Sequence, residues 1–127
     1  MKKEETLRGR GSFASVLSSG KKIEGELLRC VFCVDRGAGT RVRAGFSVSR
    51  KVGGAVMRNR VRRLMRVAYD AESGRLRAAP VAAALDIVFV YKGRKGVPAG
   101  RLTLPRLQGD MAALCERCAA SLSTVIS

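Results

Sequence analysis

The feature that most restricts how this chain can fold is a single change of hydrophobic period across Gly53-Gly54. Before that point, residues 41–49 alternate. Val42, Ala44, Phe46 and Val48 form one side, and Arg41, Arg43, Gly45, Ser47 and Ser49 the other. Such alternation predicts a strand with one face in a core and the other free to meet a ligand. After it, Met57, Val61, Leu64, Met65 and Ala68 recur at helical spacing, which predicts a helix over 55–71 with Gly74 as its stop.

The remaining segments extend the same pattern. Ser12 can cap a short helix through Ser18 that ends at Gly20, with Phe13, Val16 and Leu17 on one face. Leu28, Cys30, Phe32 and Val34 alternate as a strand, and residues 36–39 form a turn. The Ala-rich stretch 76–84 reads as a short helix, 85–91 as a well-buried strand, and 92–100 as a basic loop. Thr103 caps a last helix that has Pro105 in its first turn. Leu107, Met111, Leu114, Cys115, Cys118 and Leu122 form its buried face. The order is α-β-β-α-β-α with room for a further strand near residues 50–52, an α+β sandwich in one domain over residues 1–127.

Charge narrows the choice of partner. Twenty-five Lys and Arg against ten Asp and Glu give a net charge of +15 and a pI near 11.0. That excess is relieved by a polyanion, either nucleic acid or an anionic membrane surface. Most of the cations are Arg, whose planar fork grips phosphate and stacks on bases, which favours nucleic acid. Residues 36–69 hold ten basic residues and no acid. On a wheel at about 100° per residue, Arg58, Asn59, Arg62, Arg63 and Arg66 share the side opposite Met57, Val61, Leu64, Met65 and Ala68, and Arg60 lies on the flank. A solvated helix normally interleaves Glu with Arg, and this one does not, so its guanidinium groups are left for an external polyanion. Replacing Arg60 or Arg63 is therefore expected to cost affinity for the nucleic acid and little stability. Asn59 adds a donor and an acceptor for base edges or 2′-hydroxyls. Gly53 and Gly54 allow close backbone approach, next to the free N–H groups of the helix start.

The residues predict binding and not chemistry. The chain has no histidine, the commonest general base. Asp35, Asp70, Glu72, Asp86 and Asp110 are scattered rather than clustered as two-metal hydrolysis requires, and they read as caps and charge partners. Cys30/Cys33 and Cys115/Cys118 form two C-x-x-C pairs, a zinc-module spacing. On a strand, positions three apart point to opposite faces, so the reading preferred for all four is small buried hydrophobes. No secretory signal opens the chain and no apolar run is long enough to span a bilayer, so a cytoplasmic location without a membrane partner is expected.

The stretch Gly45-Phe46-Ser47-Val48-Ser49-Arg50-Lys51-Val52-Gly53-Gly54-Ala55-Val56-Met57-Arg58-Asn59-Arg60-Val61-Arg62-Arg63-Leu64-Met65-Arg66 resembles the signature of the bacterial ribonuclease P protein family. Strand, Gly turn and Arg-Asn-Arg helix come in order and at the family spacing, and a weaker likeness includes the leading Ser-Phe-x-x-Val-Leu helix. The resemblance implies a compact α/β sandwich of α-β-β-β-α-β-α order with a left-handed βαβ crossover, similar to domain 2 of ribosomal protein S5. It implies that Arg58, Asn59, Arg60, Arg62, Arg63 and Arg66 contact a catalytic RNA, with Arg50 and Lys51 beside that surface. It also implies a cleft for the 5′ leader of precursor tRNA, lined by Phe13, Leu17, Val31, Arg43, Ser47 and Ser49. Leu17 stands where many relatives carry a second aromatic, and Val31 where some carry Tyr. The implied role is the non-catalytic protein cofactor of an endoribonuclease, one copy per RNA. Its magnesium would be bound mainly by RNA and substrate. A ribosomal or RNA-chaperone protein using the same basic helix on rRNA is the alternative reading.

Overall fold

In the computed structural model, which describes residue 7 and residues 10–35, 41–77, 84–93 and 98–126, the chain begins with α1 (Arg10–Ser19), β1 (Lys21–Glu24) and β2 (Leu28–Asp35). It continues through β3 (Arg41–Val48), α2 (Ala55–Glu72), α3 (Gly74–Arg77), β4 (Ala84–Tyr91) and α4 (Leu104–Ile126). Short 3₁₀ turns at Arg50–Val52 and Ala99–Arg101 lead into α2 and α4. The sheet has strand order β1-β2-β4-β3. β2 is antiparallel to β1 and β4, and β3 is parallel to β4. Parallel neighbours need a crossover, and α2 supplies it, as the βαβ unit of the resemblance implies.

The α+β architecture expected from the hydrophobic periods holds, with local corrections. Residues 50–52 are a 3₁₀ turn, and the extra strand is β1. β1 gave no alternation signal because it is a four-residue edge on which only Ile23 packs inward. The first helix starts at Arg10, so Ser12 lies inside its first turn and is not the cap. Gly74 does not stop α2. Ser73, with helical backbone angles and its N–H on the Tyr69 carbonyl, ends that helix, and Gly74 opens α3. The turn at 36–39 lies outside the described residues, as do 78–83 of the Ala-rich stretch and 94–97 of the basic loop.

The sheet divides the core in two. On one face Leu28, Cys30, Phe32, Ala44, Phe46, Ile87, Phe89 and Tyr91 pack against Val61, Met65, Ala68 and Tyr69 of α2 and the buried stripe of α4. Phe46, Tyr69 and Phe89 meet with ring centroids 5.5–6.0 Å apart. On the other face Leu7 and Val16 cover Val31 and Val88, with Phe13, Cys33 and Val90 partly buried around them. Asp110 of α4 fastens the β1–β2 connection: its carboxylate accepts from the N–H groups of Glu26, Leu27 and Leu28 at 2.9, 3.0 and 2.9 Å. This is the cap role expected for the scattered acids.

Cys30 faces the larger core and Cys33 the smaller one, as their strand spacing requires. Cys115 and Cys118 are buried with Cys30. Burial pushes the Cys30 and Cys115 thiols up to about 12 and raises that of Cys118 as well, so all three stay protonated hydrophobes.

Candidate nucleic-acid interface

α2 is anchored by Val61, Met65, Ala68 and Tyr69, all buried. Its opposite side carries the basic residues, and they do not behave alike. Asn59, Arg63 and Arg66 are exposed, while Arg58, Arg60 and Arg62 are partly buried. Arg62 donates to the Asn59 side-chain oxygen at 2.7 Å, so Asn59 presents its amide with the acceptor already engaged. The Nε of Arg58 has no hydrogen-bond partner among the described residues. Arg60 is bonded within the protein. Its two terminal nitrogens donate to the carbonyls of Ala99 (3.1 Å) and Leu102 (2.9 Å), so the side chain is tied down rather than held out. The wheel placed it on the flank, and the partner that claims it lies some forty residues away, beyond any helical periodicity.

The approach to α2 is basic and open. Ser49 accepts the Lys51 N–H on its hydroxyl at 3.3 Å, which shapes the 3₁₀ turn and leaves Arg50 and Lys51 exposed. Gly54 occupies the N-cap of α2 with no side-chain cap and no acid in the first turn, so the first N–H groups keep their partial positive charge unanswered. A Cβ at Gly54 would meet nothing within 4 Å. At Gly53 it would lie 3.1 Å from the Met57 side chain. Among the described residues, Arg50, Lys51, Arg63 and Arg66 have no ion pair.

The acids, by contrast, are largely spent. Asp86 takes Arg43 by two bonds of 2.9 Å, which holds that guanidinium more firmly protonated. Glu24 pairs with Lys92 and Arg29, which lower its pKa. Glu72 and Glu116 share Arg75, and Gln108 donates to Glu72.

The second candidate surface is the half-covered face of the sheet. Gly45, Val88 and Val31 align across β3, β4 and β2, and this row is buried beneath α1. The rows on either side stay partly exposed: Arg43, Asp86 and Cys33 on one, Ser47, Val90 and Arg29 on the other. Phe13 lies directly over Gly45, where a Cβ would come within 2.4 Å of the ring Cζ. One turn on, Leu17 is exposed.

Of the six residues named for a cleft, Phe13, Leu17, Arg43 and Ser47 thus gather on this side. Val31 is only 1% exposed, so it forms floor beneath α1 and offers no contact surface. Ser49 lies past the end of β3 and is occupied as a cap. Sequence reasoning missed Val90 and Arg29, which join the open row only through strand register. A Gly inside a clean strand is the signal that could have found the close seat of Phe13.

A family model described as Ribonuclease P matches residues 1–119. The ribonuclease P protein component of Desulfovibrio desulfuricans is 38% identical over 117 residues, covering 91% of this chain and 84% of the relative. That of Shouchella clausii is 35% identical over 77 residues, 61% of this chain and 62% of the relative, less than two thirds of its length. Among solved structures, the RNase P protein from Thermotoga maritima superposes with a TM-score of 0.69 at 26% identity, covering 89% of this chain and 96% of that one. The Staphylococcus aureus RNase P protein shares the fold with a TM-score of 0.70 at 21% identity, covering 91% and 96%.

Proposed function

This chain belongs to the ribonuclease P family of bacterial protein components, and from that premise we propose that it binds the catalytic RNA of the enzyme through α2 and the 5′ leader of precursor tRNA through the half-covered sheet face. The observation that carries the reading is the placement of the two surfaces. The basic side of α2 and the α1 cleft lie on opposite faces of one sheet, so a single copy can hold a large RNA on one side and a single strand on the other. Arg63, Arg66, Arg50 and Lys51, exposed and without an ion pair among the described residues, suit phosphate, and Asn59 suits a base edge or a 2′-hydroxyl. Phe13 and Leu17 offer apolar contact to unstacked bases, with one aromatic ring rather than two.

The protein's part is binding and orientation, and the RNA carries the chemistry. Magnesium is the metal of that chemistry in this proposal, held mainly by RNA and substrate. The carboxylates here do not fit a two-metal site: Asp86, Glu24, Glu72 and Asp110 are each engaged elsewhere, and no described residues form a cluster of three metal-ligating side chains. No described helix is long and apolar enough to cross a membrane, and we place the activity in the cytoplasm with the tRNA precursors.

The test is cleavage of precursor tRNA by a bacterial ribonuclease P RNA at low magnesium, with and without the chain. Strong stimulation is expected, and the Arg63→Ala/Arg66→Ala double variant should lose it while its stability stays within about 0.5 kcal/mol of the parent per site. If six to ten phosphates are met, affinity for the RNA should fall on the order of 10³–10⁵ between 50 and 200 mM salt. No stimulation, with tight binding to rRNA instead, would move the protein to the ribosomal reading.

A further inference from the structure

Arg60 is the member of the basic helix whose guanidinium is bonded to backbone carbonyls of another segment. Its two bonds go to the carbonyls of Ala99 and Leu102, which bracket the 3₁₀ turn Ala99–Arg101. Packing holds the two ends of that turn as well, with Ala99 partly buried against the larger core and Leu102 within it. The turn's own hydrogen bonds are Arg101 N–H to Pro98 and Leu102 N–H to Ala99, at 3.0 and 3.2 Å, and three-residue 3₁₀ turns are weak in isolation. Leu102 is buried at the base, and Gly100 lies against the Met57 methyl, which an added Cβ would meet at 3.5 Å. Arg60 therefore fixes the Ala99–Arg101 turn against the N-terminal half of α2. A planar fork can bridge two carbonyls at once, and an ammonium cannot do so with the same geometry.

What the turn carries is Arg101, exposed and without an ion pair among the described residues. The first turns of α2 and α4 and the 3₁₀ turn itself contain no acid. The positive field of α2 thus continues without interruption onto this segment. We propose that Arg60 is a positioning residue rather than an RNA contact, and that it holds Arg101 as an additional phosphate-binding side chain beside α2. The inference rests on the reading of α2 as the RNA-binding surface and adds a second element to it. The ligand is RNA backbone phosphate, since a lone exposed guanidinium on a turn carries charge but no base-reading geometry.

The experiment is equilibrium binding of the full chain to ribonuclease P RNA across a salt series, for Arg101→Ala, Arg60→Lys, the double variant, and Arg63→Ala as a control. Thermal melts correct each value for folded fraction. Arg101→Ala should weaken binding and lower the salt slope by about one. Arg60→Lys, which keeps its charge, should do the same, and the double variant should lose no more than the worse single. Additive losses would show that Arg60 acts independently of Arg101 and overturn the proposal, as would an Arg101→Ala variant with unchanged affinity and slope. If Arg60→Lys does not fold, Arg101→Glu decides: it must bind more weakly than Arg101→Ala, and equality refutes the phosphate contact. Arg63→Ala separates the two levels. Loss there with none at Arg101 sinks this inference alone, and no loss at either position sinks the RNA-facing reading of α2 with it.

Discussion

The two faces of the sheet are closed to different degrees. On the α2/α4 face, the buried residues described form one cluster of 23, with three aromatic rings at its centre. On the α1 face the corresponding cluster has four members among the described residues, beneath which lies a single row of the sheet. Apolar area removed from water is the main source of stability, at roughly 25 cal/mol per Å². The first face is therefore what makes the chain fold. The second is free to stay half open, with polar side chains and one aromatic ring at its edge, because little of the folding free energy depends on it. α2 uses the first face for its anchor and presents Arg63 and Arg66 to solvent on its opposite side.

The sharpest way to break this contrast is a cavity in the larger core. Met65 is fully buried between α2 and the sheet. Met65→Ala should lower unfolding free energy by about 2–5 kcal/mol in urea denaturation. A loss below about 1 kcal/mol, the scale of an ordinary surface substitution, would mean that the α2 face is not the main source of stability.

A smaller and more local effect is expected at the cleft. The Cβ of Gly45→Ala would come within 2.4 Å of the Phe13 ring, so that ring must move off its seat and loosen the packing of α1. Overpacking of this kind costs about 1–3 kcal/mol. Faster amide exchange should be confined to α1, and binding of a single-stranded leader oligonucleotide should weaken while the affinity for the catalytic RNA holds. Equal losses of both affinities would join the two surfaces into one and undo the comparison.

The same contrast explains what was legible in the sequence. The period of two in β3 and the period of about 3.6 in α2 were readable because each buries a full face, and every inward residue carries the signal. Likewise Leu107, Met111, Leu114, Cys115, Cys118 and Leu122 of α4 are all buried as the spacing required. β1 was invisible because an edge strand of four residues with one inward side chain has no period to detect. The burial of Val31 was hidden for a related reason. β2 is covered on both faces in its middle, so the outward position of an alternating strand is not outward in the tertiary structure. Arg60 was readable as basic and on the flank of α2, but its bond partners are backbone carbonyls, and a carbonyl leaves no mark on the amino-acid sequence. The Asp110 clamp was foreseen only as a class of role, since its acceptors serve N–H groups more than eighty residues away.

The smallest effect separates the faces by the kind of force that holds them. Glu24 on β1 accepts from Lys92 and Arg29, and Arg29 lies in the open row with Val90 and Ser47. These partners, Lys92 first, hold the Glu24 carboxyl below its ordinary value of 4.5. A group whose pKa is lowered on folding contributes stability above its unfolded pKa and loses it as pH falls through the folded one. Glu24→Gln should therefore lower Tm slightly at pH 7, and the gap from the parent should close as pH falls below 4.5. Glu24 is half exposed, so the gap stays small and shrinks in high salt, where exposed pairs are screened. The Met65→Ala deficit, which is packing, should not respond to salt in that way. A Glu24→Gln gap that persisted unchanged at acid pH and in high salt would show that the open edge is held by packing too, and that the two faces differ only in extent.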